Sequence, residues 1–190
     1  MQEIEIELKN GLTTEEYTYL KNELFYDRTS KKQVNHYFET EDLRLREAGC
    51  ALRIRLKNDQ YVSTLKEPQE EGLLETHDQL DDSVAKAWME NEITLGPNIR
   101  KQLDRLGIQQ GELKYFGSLT TYRLEKSMND CLVVIDRSLY HKLEDYELEI
   151  EAGSTAAAQH MLDSILSTYQ IEKRPISSKI KRFFKAIGKA

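Results

Sequence analysis

Three stretches of this chain alternate charge and hydrocarbon residue by residue: Glu3-Ile4-Glu5-Ile6-Glu7-Leu8-Lys9, Ala51-Leu52-Arg53-Ile54-Arg55-Leu56-Lys57 and Tyr146-Glu147-Leu148-Glu149-Ile150-Glu151. A period of two is that of a β-strand, whose successive side chains point to opposite faces, so each stretch predicts a strand with one apolar and one charged face. The charged faces are nearly pure in sign: acidic up to Lys9, basic in the middle stretch, acidic again near the end. Side chains at i and i+2 lie only about 6.5–7 Å apart on a strand, where like charges repel unless water, ions or opposite charges offset them. Glutamate is also a weak strand former. For the first stretch in isolation, a solvated edge strand guarded by charge explains the pattern as well as a lined site does.

The connecting sequence reads as hairpins and helices. Asn10-Gly11-Leu12 reads as a turn and Thr13 as an N-cap, with Glu16 completing a capping box for a helix to about Leu24. Val34–Thr40 is a predicted strand, and Asp42–Glu47 a short helical or looped connection. Asn58-Asp59-Gln60 reads as a hairpin turn into the strand Tyr61–Lys66, which Pro68 stops. Gly72–Leu80 supplies the next strand, with Glu75, His77 and Gln79 on one face. Gly96-Pro97 divides two helical patterns, Asp82–Met89 and Asn98–Leu106, in a helical insertion at about 81–108. Strands Leu113–Ser127 and Cys131–Asp136 flank a turn at Met128-Asn129-Asp130. After the last alternating strand, Gly153-Ser154-Thr155 opens a helix to about Tyr169. A final helix at about 177–187 sets Lys179, Lys181, Arg182 and Lys185 against Ile180, Phe183, Phe184 and Ile187. Its pattern matches a membrane-surface helix, but a helix bracing one end of a barrel explains it too and brings Lys179 near the charged strands.

At 190 residues, 39% hydrophobic and 32% charged, the chain suits a single domain that is lean in apolar material. A net charge of −6 argues against a generic nucleic-acid binder. Cys50 and Cys131 have no metal-ligand spacing and define no disulfide framework, so both are expected as buried free thiols. No apolar signal segment opens the sequence and no stretch approaches the roughly 20 apolar residues of a membrane span, so a cytoplasmic protein with no membrane partner is expected. Glycine-rich phosphate loops and Ser/His/Asp or Cys/His arrangements find no support, and His36, His77, His141 and His160 read as structural.

The pattern amounts to about eight strands, mostly in hairpins. An open sheet could send the charged faces to water, whereas a closed eight-stranded antiparallel barrel turns them inward around a tunnel and buries the apolar faces under helices outside. The low apolar fraction and the repeated like charges favour the α+β barrel. Its tunnel would set carboxylates opposite Arg53, Arg55, Lys66 and Arg123. Clustered carboxylates suit a hard cation such as Mg²⁺ or Mn²⁺, and arginine forks suit phosphate oxygens, so the expected ligand is a metal-bound polyphosphate.

Glu5-x-Glu7-x-Lys9 resembles the ExExK signature of the CYTH, or triphosphate tunnel metalloenzyme, superfamily, and the resemblance runs over nearly the whole chain. Tyr37-Phe38-Glu39-Thr40 resembles a family strand that usually carries Asp where this chain has Glu39. Leu52-Arg53-Ile54-Arg55 is similar to the Arg-x-Arg strand, Thr64-Leu65-Lys66 to the Leu-Lys strand, and Glu75 to the acidic residue that follows. Arg123, Val134-Ile135-Asp136, Glu147-Leu148-Glu149 and Lys179 continue the match. The resemblance implies metal ligation by Glu5, Glu7, Glu147, Glu149 and Asp136. Phosphate binding falls to Lys9, Arg53, Arg55, Lys66, Arg123 and Lys179, with catalytic support from Glu75. Glu3 and Glu151 extend the acidic faces toward a tunnel mouth, and Lys57 reads as solvated charge near the hairpin. The implied activity is metal-dependent hydrolysis of the terminal phosphate of a small-molecule triphosphate, inorganic or organic. A class IV adenylate cyclase and a non-catalytic polyphosphate binder are the alternatives.

Overall fold

The computed structural model describes residues 1–57 and 59–189, Lys57 by its backbone alone. Asn58 of the expected hairpin turn and the side chain of Lys57 lie outside the described residues. In chain order the elements are β1 (Gln2–Glu5), β2 (Glu7–Leu12), α1 (Thr14–Glu23), β3 (Lys31–Thr40), α2 (Arg44–Glu47), β4 (Ala51–Lys57), β5 (Gln60–Pro68) and β6 (Leu73–Leu80). Then follow α3 (Asp82–Met89), α4 (Pro97–Arg105), β7 (Leu113–Met128), β8 (Cys131–Tyr140), β9 (Leu143–Glu151), α5 (Thr155–Thr168) and α6 (Lys179–Ala186). The order of hydrogen-bonded neighbours is β1-β6-β5-β4-β3-β7-β8-β9-β2.

The expectation of a closed eight-stranded barrel is thereby corrected. Among the described residues there are nine strands, and their order has two ends, β1 and β2. The opening alternation is one run in sequence but two strands in the fold, divided at Ile6. On the β1 side, the His77 N–H donates to the Met1 carbonyl at 2.9 Å; past the break, the Ala152 N–H donates to the Ile6 carbonyl at 3.1 Å. The α+β class stands, with antiparallel hairpins β3–β4, β4–β5, β5–β6, β7–β8 and β8–β9 and the antiparallel pair β2–β9.

The chain forms two compact units, one comprising Met1–Ile4 with Gln33–Ser118, the other Glu5–Lys32 with the chain from Leu119 onward. In the first, Phe38, Leu52, Ile54 and Leu65 share one sheet face and pack with Trp88 of α3 and Ile99 and Leu103 of α4. The Trp88 ring meets Phe38 edge-on at 5.1 Å, and its N–H donates to the Thr94 carbonyl at 3.0 Å, so the core indole keeps its polar atom paired. In the second unit, Val133, Ile135, Leu148 and Ile150 pack with Leu20 of α1 and with Met161, Leu162 and Ile165 of α5. Full burial of such side chains stabilises by about 1.5–3 kcal/mol each, which fixes in each unit the strand face that meets the helices. Cys50 and Cys131 are free and buried, as expected.

Local signals held where they are local. Thr13 and Glu16 form the capping box, with the Glu16 N–H donating to Thr13 Oγ1 at 3.2 Å and the Thr13 N–H to Glu16 Oε2 at 2.7 Å. Asn10-Gly11-Leu12, expected as a turn, is instead the end of β2. The Gly11 N–H donates to the Arg174 carbonyl at 2.7 Å. The Asn10 amide donates to the Glu172 carbonyl at 3.0 Å and accepts from the Arg174 N–H at 2.6 Å. A segment far along the sequence thus supplies the hydrogen bonds that a local turn would have made.

Candidate active site

In the second unit the apolar faces of β8 and β9 are spent on the core, so the alternate residues form a separate polar face. Register sets Arg123, Asp136 and Glu147 across from one another on β7, β8 and β9, and Lys9 and Glu7 of β2 opposite Glu149 and Glu151. Two sets of three carboxylates result, each with one oxygen per residue within 4.8 Å of the others: Glu5, Glu7 and Glu151, half-buried, and Asp136, Glu147 and Glu149, buried.

The buried set is held by protein cations. Arg123 donates from Nε and Nη2 to the two Asp136 oxygens at 2.9 and 2.7 Å and also pairs with Glu149. Lys179 of α6 lies 2.7 Å from Asp136 and 2.8 Å from Glu149 and contacts Glu147. Arg182 lies 2.5 Å from Glu147, and Lys9 2.7 Å from Glu149. Burial alone would raise the Glu149 carboxyl, but Lys179, Lys9 and Arg123 outweigh it and hold that group well below the usual carboxylate range. Asp136 is lowered in the same way by Arg123 and Lys179 against its burial, whereas burial dominates at Glu147 and raises it. Lys9 and Lys179 are raised despite burial, Lys9 chiefly by Glu149 and Lys179 chiefly by Asp136.

A divalent cation fits the two sets differently. At Asp136, Glu147 and Glu149, expected as metal ligands, it would meet two ammonium and two guanidinium groups already seated on these carboxylates. Glu5, Glu7 and Glu151 offer the all-carboxylate donor set of a hard cation, with Lys9 3.0 Å from Glu7 and Arg123 3.6 Å from Glu151 at the margin. Lys9, Arg123 and Lys179, expected on phosphate, are engaged with these acids.

In the first unit, register places Tyr37, Arg53, Thr64 and His77 across β3, β4, β5 and β6, with Asn35 opposite Arg55 and Lys66 opposite Glu75 on adjoining rungs. Lys66 lies 2.5 Å from Glu75, and Arg53 3.8 Å from it. Arg55 donates from Nε to Asn35 Oδ1 at 2.9 Å. The buried Arg53 Nε has no hydrogen-bond acceptor among the described residues. His77 contacts Thr64 through Nδ1 at 3.0 Å and Glu3 through Nε2 at 3.2 Å. Glu39, the departure from the family's Asp, turns its carboxylate onto the backbone of α2, accepting from the Leu45 and Arg46 N–H groups at 2.9 Å each and from Thr40 at 2.8 Å.

One participant, Arg182, was read from sequence only as part of a basic helix face and not as a site residue. Arg182 follows Lys179 at i+3 and so shares its helix face, a spacing that would have paired them.

Together these features define an α+β protein whose antiparallel strands bury their apolar faces under helices and carry clustered acids and bases on the alternate positions. The chain belongs to the CYTH family, whose CYTH domain model matches residues 3–184. It is 41% identical over 184 residues to the Bacillus subtilis protein named "Putative triphosphatase YjbK", covering 96% of this chain and 95% of that one. A Bacillus halodurans crystal structure described as "a putative adenylate cyclase" superposes with a TM-score of 0.91 at 38% identity, covering 96% and 98% of the two chains. The Hippeastrum protein HpAC1, described as a "putative adenylyl cyclase" that reveals a dominant triphosphatase activity, shares the fold at a TM-score of 0.80 and 21% identity, with 96% of each chain covered.

Proposed function

We propose that this protein is a divalent-metal-dependent triphosphatase that removes the terminal phosphate of an inorganic or organic triphosphate, and that its charged strand faces carry the residues of the reaction. The observation that carries this reading is Arg53, whose buried Nε has no hydrogen-bond partner among the described residues and whose Nη2 stands 3.8 Å from Glu75. Such a group is poised for an oxyanion, because a guanidinium fork matches phosphate oxygens and keeps its charge at any working pH. The name of the Bacillus subtilis relative points to the same chemistry.

Glu5, Glu7 and Glu151 would hold the metal. Mg²⁺ or Mn²⁺, when bound, supplies charge neutralisation at the phosphate oxygens. Arg53, Arg55 and Lys66 grip the triphosphate, with Glu75 orienting Lys66. Lys9 and Arg123 lie at the margin of the acidic set and reach phosphate from there. Asp136, Glu147 and Glu149, with Lys179 and Arg182, keep those two cations in position. Water attacks the terminal phosphorus in line, the bridging bond breaks with its electrons on the diphosphate leaving group, and orthophosphate departs.

A second reading, cyclisation of ATP, is favoured by one observation, the description of the Bacillus halodurans relative. One assay decides between them. With tripolyphosphate, ATP and thiamine triphosphate, each with Mg²⁺, Mn²⁺ or chelator, the expected result is orthophosphate release that chelator abolishes. Cyclic AMP with pyrophosphate would make the protein a cyclase, and tight binding without turnover a polyphosphate binder. Glu5→Gln and Glu7→Gln are expected to lower turnover by more than the roughly 10–100-fold typical of outer-shell changes at metal sites. Arg53→Ala should act mainly on KM, and an unchanged KM and kcat would remove Arg53 from the phosphate grip.

A further inference from the structure

Gln33 is 1% exposed, and neither its amide nitrogen nor its amide oxygen has a hydrogen-bond partner among the described residues. It stands on the face of β3 opposite to Phe38, because residues alternate along a strand and Phe38 belongs to the core. Asn35 and Tyr37 follow on that face, Asn35 holding Arg55 and Tyr37 lying opposite Arg53. Gln33 therefore stands one step, about 6.7 Å, beyond the Asn35–Arg55 rung and in line with the arginines assigned to phosphate. A buried amide with both ends unpaired is costly in a folded protein and is rarely kept without a partner.

The partner must accept from the NH₂ and donate to the carbonyl. With so little exposure it must also be small. We propose, resting on the triphosphatase reading, that Gln33 orients the attacking water: its carbonyl accepts a hydrogen bond from that water while its NH₂ donates to an oxygen of the terminal phosphate. In the reaction the water oxygen bonds to phosphorus, the bridging P–O bond breaks with its electron pair on the diphosphate leaving group, and the water proton ends on a phosphate oxygen. The carboxamide gains and loses no proton, so it acts by alignment, the role a water-positioning residue plays in phosphoryl transfer. A rival role, reading the amino edge of a purine or pyrimidine, uses the same donor and acceptor but requires room for a ring.

The test compares wild type with Gln33→Met and Gln33→Leu, which keep the bulk and remove both polar ends. Steady-state kinetics on tripolyphosphate and ATP with Mg²⁺ are joined by calorimetric binding of a methylene-bridged, inert tripolyphosphate analogue and by thermal melts. The expected result is a kcat lower by about 10²-fold on both substrates, KM and analogue affinity within about threefold, and a melting temperature equal to or above wild type. The last follows from removing an unpaired buried amide, and a purely structural glutamine would give the reverse. Unchanged kcat on both substrates overturns the proposal. A loss confined to ATP assigns Gln33 to the organic end instead, and a drop in melting temperature in both variants assigns it to the fold. Wild-type protein without turnover on any triphosphate fails the triphosphatase reading itself and the proposal with it, an outcome separate from active wild type with silent variants.

Discussion

Lys179 holds the buried acidic set together, with Asp136, Glu147 and Glu149 all on its ammonium. Removing one partner of a buried ionic cluster leaves uncompensated charge and typically costs about 3–5 kcal/mol. Lys179→Met is therefore expected to be among the most destabilising substitutions in the second unit, read as a lower urea midpoint at neutral pH. A midpoint within error of wild type would mean that Lys9, Arg123 and Arg182 suffice alone. At this scale the sequence showed that Glu147 and Glu149 turn away from the core, since parity along a strand is local. It did not show whether an inward carboxylate meets a metal or an ammonium. That depends on where α6 delivers Lys179, more than thirty positions from its partner Asp136 and on a different element.

Among the elements, α4 shows how much of a helix boundary is made elsewhere. Gly96-Pro97 marks its start in the sequence, and proline in the first turn needs no N–H partner. The capping group, however, is Asp78 of β6, which accepts from the Ile99 N–H at 2.9 Å and from the Asn98 amide at 2.6 Å. A methyl group on Gly96 would stand 2.4 Å from the Asp78 Cγ, so the glycine is required for space, its backbone being ordinary. Gly96→Ala should displace that carboxylate and cost about 1–3 kcal/mol as overpacking, measurable by thermal melting and larger than Thr13→Ala at the α1 cap, where loss of a cap costs about 1 kcal/mol. The reverse order would show that Asp78 is free to move. Helix positions and the Thr13–Glu16 box were legible because their signals lie within a turn of the chain. The Asp78 cap was not, because a strand and a helix had to meet first.

For the whole molecule, the ionic faces predict a stability profile. Glu149 and Asp136 have folded pKa values below their ordinary 4.5 and 3.8, so their contribution is fully present above those values and is lost as pH falls through the depressed ones. Glu147 and Glu39, both raised by burial, act oppositely and soften that acid limb. Lys9 and Lys179 are raised above 10.5, so their contribution is present below that pH and is lost as pH rises through the folded values. Tyr140, pushed up to about 12 by burial and by its hydrogen bond to Asp145, adds to the same alkaline limb. Urea midpoints across pH should therefore fall off below about 4.5 and above about 10, with Lys179→Met flattening the alkaline side; an unchanged alkaline limb in that variant would dissociate it from the buried lysine. The sequence by itself determined which residues share a strand face, where the helices lie and that the faces carry opposite charges, since each rests on neighbours along the chain. Only the tertiary structure decided that the opening run divides at Ile6, that Asn10 and Gly11 extend a strand, and that Lys179 and Arg182 join Asp136, Glu147 and Glu149 while Glu5, Glu7 and Glu151 gather as a second acidic set. Those outcomes turn on hydrogen bonds and ion pairs between segments distant in sequence, whose partners are chosen by the way the chain packs.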